Sequence, residues 1–188
     1  MLTGEGVRYR EVRMEIPAPR YRALSATKSP RFDEAGIQER IQSMPNFSGS
    51  FSGNIRTQTI ILVPDKPDHS LSLAEVSGTQ KTTDPKWNGS AINYWATTDA
   101  VGVQGIQRGY FVNDHGAAGL DRGTFEGGVS VVAGQAVVEG KWQYTGGEGS
   151  FADITGGGTF KSKLTSATTL EATWEGAYEL AGARAKAV

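Results

Sequence analysis

The sequence predicts an all-β protein: an antiparallel barrel of about eight strands, preceded by an extension that holds a strand and a short helix. Three observations carry this. From Asn46 onward, short runs of alternating apolar and polar residues recur with turn-forming residues between them. Glycine is concentrated in the same region, since only Gly4, Gly6 and Gly36 of the 25 glycines come earlier. No long stretch of helical periodicity interrupts the runs.

The elements are expected in this order. Residues 1–45 form the extension. Within it VRYREVRMEI alternates as a strand does, with a slip of phase between Tyr9 and Val12 that predicts a kink or bulge. FDEAGIQERIQSMP then places Ile37, Ile41 and Met44 on one helical stripe, with Asp33 as the cap and Pro45 as the stop. Seven arginines also lie in the extension, which suits it to docking a partner or second subunit; a lid over one mouth of the barrel is the other role open to it. Residues 46–180 form the barrel. Its strands are expected at FSGSFSGNIRTQTIILV, SLSLAEVSGTQ, AINYWATT, QGIQRGYFVN, GLDRGTFEGG, QAVVEGKWQY, GGTFKSKLT and TLEATWEGAYEL, with turns at VPDKPDHS, TTDPKWNG and NDHG. Residues 181–188 are a fraying tail.

Composition narrows the function. A formal net charge of −1 gives no field that would draw the chain to nucleic acid or an anionic membrane. There is no cysteine, which removes disulfides, thiolate metal sites and cysteine nucleophiles. Two histidines, His69 and His115, cannot build a histidine-rich metal site, and both sit in expected surface loops. The longest apolar run, Ile60 to Val63, is far too short to span a bilayer. A soluble, cytoplasmic protein is expected.

The segment YTGGEGSFADITGGGTF, from Tyr144 to Phe160, resembles a phosphate loop at first sight. A Walker loop needs Gly-Lys-Ser/Thr opening a helix, and a dinucleotide fingerprint also needs a helix after its glycine turn. These glycines lead instead into TFKSKLT, which alternates like a strand. They therefore read as structural: Gly146, Gly147 and Gly149 in a turn, Gly156 to Gly158 where the backbone bends or approaches a neighbour.

That segment, with the flanking WQY and the later TWEGAYEL, resembles the closing strands of the allene oxide cyclase-like barrel, a calycin-type fold shared with dirigent proteins. GYFVNDHGAAGLDRGTFEGG is similar to the preceding hairpin of bacterial members. The stronger part covers about residues 105–180. The resemblance implies an oligomeric barrel, dimer or trimer, with an apolar cavity and chemistry that needs no cofactor: ring closure of a fatty epoxide, or the holding of phenolic intermediates while a bond forms. No functional residue of either group matches this chain position by position.

Candidate site residues come from strand alternation. Trp174 and Tyr178 share a face on the last strand with Ala172, opposite Glu171, Glu175 and Glu179; Trp142 opposes Glu139 and Lys141. Asn93, Trp95 and Tyr110 join these aromatics as expected ligand contacts. Glu75, Arg108 and Glu126 share phases with Leu73, Ile106 and Leu120, so they are expected to intrude on an apolar interior as an acid–base cluster, or else to form an ion pair at the rim. The expected function is binding of a small apolar or aromatic ligand, with cofactor-independent isomerisation or cyclisation as its enzymatic form. A non-catalytic carrier and a filled structural barrel are the alternatives.

Overall fold

The computed structural model describes residues 46–180. The expected extension, residues 1–45, and the tail, residues 181–188, lie outside the described residues. Each of the eight alternating runs is one strand: β1 (Asn46–Leu62), β2 (His69–Thr82), β3 (Ala91–Val101), β4 (Gln104–Asp114), β5 (Gly119–Val132), β6 (Gln135–Gly149), β7 (Thr155–Leu164) and β8 (Thr169–Glu179). Consecutive strands pair antiparallel, and β1 pairs with β8 to close the barrel. Closure leaves these two strands without a free edge along their pairing.

Alternation sorts the side chains. Phe47, Phe51, Val76, Tyr94, Phe111, Phe125, Trp142 and Trp174 fall on the inner phase, and several inner positions between them are glycine. The pairing of large with absent is steric. A Cβ on Gly109 would strike the ring of Phe125, one on Gly123 the ring of Phe111, and one on Gly176 the ring of Trp142. A narrow barrel holds this many rings only if neighbouring strands give up side chains beneath them.

Two irregularities set the phase. The β1–β2 register shifts between Ile55 and Thr57, and the β5–β6 register shifts between Arg122 and Gly123, with Gly123 opposite Tyr144 but Arg122 opposite Gly146. Thr145 is the extra residue, and its hydroxyl donates to the Arg122 carbonyl at 3.3 Å. This bulge lets Tyr144 and Gly147 both face inward.

The connections β2–β3, β4–β5 and β6–β7 lie at one end of the barrel, and the other four hairpins at the opposite end. At that opposite end His69 opens β2 with its ring between two carboxylates. Its Nδ1 pairs with Asp65, and its Nε2 lies 2.9 Å from Asp99 of β3. The bond to Asp65, and then that to Asp99, raises the His69 pKa above its ordinary value, while the same bond lowers that of Asp65. The His69 contribution is therefore complete below the unfolded imidazole value of about 6.5 and is lost as pH rises through the higher folded value. The Asp65 contribution is present above about pH 4 and is lost on acidification. The melting temperature is expected to fall as pH rises from about 6.5 through the raised His69 value, and His69→Gln is expected to flatten that fall. Thermal melts across this range check it, and a wild-type slope that the substitution leaves unchanged would show the cluster to be inert.

Candidate functional site

One end of the barrel is sealed by side chains. Asp84 organises the β2–β3 connection by accepting the Lys86 N–H at 2.9 Å on its carboxylate and the Trp87 N–H at 3.1 Å on its backbone carbonyl. That turn drives Trp87 into the barrel, where it is fully buried against Phe47, Tyr178 and Phe151. The Tyr178 hydroxyl donates back to Asp84 at 2.7 Å. Phe151 and Ile154 complete the seal, and both come from the centre of the glycine-rich segment. Its glycines serve this packing. A Cβ on Gly147 would strike the carbonyls of Phe151 and Leu120, and Gly156 has φ 131° with the Ala177 carbonyl against it.

Behind the seal lies a cavity. Its volume is about 80 Å³. Phe51, Tyr94, Phe111, Phe125, Trp142 and Trp174 supply much of its wall. The rings meet edge to face: Tyr94 with Phe125 at 5.5 Å and Trp142 with Trp174 at 6.0 Å.

Polar groups enter the wall beside the seal. Asp121, on the inner phase of β5, has no exposed surface. Its Oδ2 accepts the Trp87 indole N–H at 2.8 Å and faces His115 Nε2 at 2.8 Å, and its Oδ1 accepts the Asn113 amide at 2.6 Å. His115 Nδ1 faces the Lys86 carbonyl at 3.0 Å, and the ring stacks on Phe151 at 4.1 Å. Both ring nitrogens of His115 thus face oxygens, one from the Asp121 carboxylate and one from the Lys86 carbonyl. Asn113 in turn accepts the Gln80 amide at 2.7 Å. Gln80 and Asn113 both reach the cavity wall.

Burial raises the pKa of Tyr94, and burial followed by the Asp121 charge raises that of Tyr144. Burial and then the Asp84 bond do the same at Tyr178. These phenols stay neutral at any physiological pH, so they can offer hydroxyls but not phenolate charge.

The sequence-predicted residues divide. Trp142 and Trp174 line the cavity, and Tyr178 belongs to the seal. Glu75, Asn93, Trp95, Arg108, Tyr110 and Glu126 lie on the outer phase, which corrects their expected inward facing. Arg108 and Glu126 pair at 2.5 Å with side chains 63% and 60% exposed, and Tyr110 is 68% exposed. Glu75 stands opposite Trp95, itself 41% exposed. The expectation assumed that Leu71 and Leu73 marked the inner face of β2. The opposite phase, Ala74, Val76, Gly78 and Gln80, faces inward instead: Val76 and Gln80 are each 2% exposed, while Leu71 and Leu73 lie outside. His115, expected in a surface loop, has a side chain only 2% exposed. Trp87, Gln80, Asn113 and Asp121 did not stand out in the sequence as site residues. The available signal was their phase: Asp121 shares a face with Phe125, Asn113 with Phe111, and Gln80 with Val76. Among the described residues, no cluster of three or more His, Cys, Asp or Glu side chains could hold a metal ion, and no helix is long and apolar enough to cross a membrane.

The structure is similar to that of a pterocarpan synthase dirigent protein, with a TM-score of 0.50 over 87% of this chain and 99% of that chain at 13% sequence identity. At that identity the likeness is one of fold. It supports a dirigent-like barrel and does not extend to an allene oxide cyclase or to a bacterial group. No protein-family model matches the chain, and no curated protein matches it in sequence.

Removing the Asp121 carboxylate leaves three donors around it without an acceptor inside the barrel. Asp121→Ala is expected to destabilise the fold by about 3–5 kcal/mol, read by denaturant unfolding, with a loss of the near-ultraviolet signal of Trp87. A cost below about 1 kcal/mol would mean that water replaces the carboxylate.

Proposed function

We propose that this barrel binds a small aromatic or apolar molecule and holds it in one orientation. The observation that carries the reading is the cavity itself, walled by aromatic rings and sealed at one end by Trp87, Phe151 and Ile154. Empty apolar volume costs stability in proportion to its size, and a ligand with a flat apolar body recovers that loss. Among the described residues, the large buried loop side chains all belong to the sealed end, so entry runs through the other.

Cofactor-independent cyclisation or isomerisation is the finer form of the proposal. The similar structure is named as both a synthase and a dirigent protein, and a rigid aromatic wall suits chemistry in which shape alone selects the product. Glu75, Arg108 and Glu126 do not serve such a step from the outer face, and Asp121 is screened from the cavity by Asn113 and Trp87. The simpler reading, a carrier or orienting protein, therefore stands first.

Ser162 lines the cavity with a small side chain. Native mass spectrometry of the freshly purified protein is expected to show a small-molecule adduct that denaturation releases. Ser162→Phe fills the space and is expected to abolish the adduct while melting within a few degrees of wild type. An adduct that survives this substitution would place the ligand elsewhere and defeat the reading.

Self-association belongs to the same proposal. Leu73, Trp95, Ile106 and Tyr110 leave an apolar tract exposed across neighbouring strands, with the Arg108–Glu126 pair beside it. A second copy of this chain is its proposed cover, because a pair that is self-complementary in charge can meet its own symmetry mate. Light scattering is expected to show a dimer or trimer that Tyr110→Lys converts to monomer; a monomeric wild type would refute it.

A further inference from the structure

We infer that the protruding end of β1 is a docking edge for the C-terminal strand of a partner protein. The occupant is an extended apolar peptide that pairs antiparallel with residues 57–62 and sets its terminal carboxylate beside Arg56. The site is built from backbone, lies outside the cavity and does not depend on a ligand there.

The stagger of the barrel leaves this edge open. β8 pairs with β1 only from Asn46 to Asn54, and the last bond on that side runs from the Ile55 N–H to the Thr168 carbonyl at 2.8 Å. β2 follows β1 further, to Leu62 opposite Ser70. Among the described residues, no strand covers the other edge of β1 beyond Ile55. The pairing fixes which groups are open. The Val63 N–H donates to the His69 carbonyl at 2.9 Å, so antiparallel alternation turns Thr57, Thr59 and Ile61 toward β2 as well. Gln58, Ile60 and Leu62 therefore point their N–H and C=O groups away from β2, into solvent. Residues 56–62 are all exposed, Ile60 by 59% and Leu62 by 78%. Open edges are commonly blunted by charge or proline within them. TQTIIL, residues 57–62, contains neither, and Arg56 and Pro64 stand just outside it. Unpaired donors and acceptors at every second residue recognise another extended backbone rather than apolar surface in general.

The ends of the edge decide which strand fits. The β7–β8 connection, residues 165–168, closes it at Ile55. A second copy of β1 pairing antiparallel would arrive as a hairpin, and its residues 64–68 would run on into that connection. A chain that stops at this wall avoids the collision. Running antiparallel to β1, it stops there with its C-terminus, beside Arg56, which is exposed and makes no ion pair among the described residues. The edge itself carries no charge, and Glu75 stands opposite Thr57 on β2, on the other side of β1. A terminal carboxylate therefore meets a guanidinium at the end of a neutral strand, a charge-assisted pairing that a continuing chain does not offer.

Magnetic-resonance titration of the isotope-labelled full chain with the hexapeptide acetyl-Thr-Val-Thr-Val-Thr-Val, free at its C-terminus, tests this. In the antiparallel register its valines stand opposite Leu62, Ile60 and Gln58 in turn. The amides of these three residues are expected to shift and, at saturation, to exchange with solvent about tenfold more slowly. Those of Thr59 and Ile61, already bonded to β2, are expected to keep their exchange rates. Amidating the peptide C-terminus is expected to weaken binding about fivefold, and Arg56→Ala to remove the difference between acid and amide. Ile60→Pro deletes an N–H that β2 does not use, so it is expected to melt within a few degrees of wild type and to lose the peptide. Should it not fold, a peptide methylated on the nitrogen of its middle valine takes its place: that N–H faces the Ile60 carbonyl, and the methylated peptide is expected not to bind. No binding of the parent peptide at about 1 mM, equal binding of the methylated one, or shifts that spare Gln58, Ile60 and Leu62 would each overturn the inference. Equal binding of acid and amide would overturn the C-terminal assignment. Slowed exchange of the same three amides in concentrated protein alone would overturn the choice of partner and give the edge to a second copy.

Discussion

The arrangement turns on one buried carboxylate. Asp121 is fully enclosed and gathers Trp87 from the β2–β3 connection, His115 from the β4–β5 connection and Asn113 from β4. A carboxylate in such a place is costly unless it is saturated with donors, and here three different segments must be in position to saturate it. The requirement works in both directions. The carboxylate is tolerated because the seal is closed, and the seal closes in one register because only that register brings an indole, an imidazole and an amide to the same two oxygens. The ring of Phe151, stacked on His115, extends the arrangement to the β6–β7 connection.

The glycine-rich texture answers the same steric demand. Eight strands enclose a small cross-section, and the interior is filled mainly with rings. Rings of that size leave no room for a Cβ on the facing strand at Gly109, Gly123 and Gly176. The segment from Tyr144 to Phe160 combines both needs. Its glycines allow close backbone approach, and Phe151 and Ile154 between them supply the plug. What looks like a phosphate loop in the sequence is a stopper for an apolar container.

The strands and their order were legible because alternation and turn residues are local properties, and the closing strand showed its inner face through Trp174 and Tyr178 opposite three glutamates. Facing was harder on β2 to β5. There the inference that bulky apolar residues point inward failed, since Leu73, Ile106 and Tyr110 lie outside with Arg108 and Glu126. Apolar residues on both faces remove the contrast on which a phase assignment depends. The polar network was hidden for another reason. Gln80, Asn113 and Asp121 come from three strands, Trp87 from a turn, and the Thr145 bulge shifts the register of β6 beside them. Each looks ordinary alone, and only closure of the barrel brings them together.

The polarity of the interior is correspondingly one-sided. Hydrogen bonds at the sealed end run outward from Asp121 through Asn113 to Gln80, and the wall beyond is mostly ring faces and edges. A molecule with one polar end and a flat apolar body has two ways to lie in such a space, and only one of them leaves no buried polar atom unpaired. Each unpaired group costs on the order of 1–3 kcal/mol, enough to favour one orientation by tenfold or more without any strong attraction. On the binding reading proposed above, orientation comes from the penalty for the wrong placement, set by amides whose sense is fixed by the Asp121 carboxylate. On that reading, the contacts that keep the barrel closed also decide how a ligand lies in it.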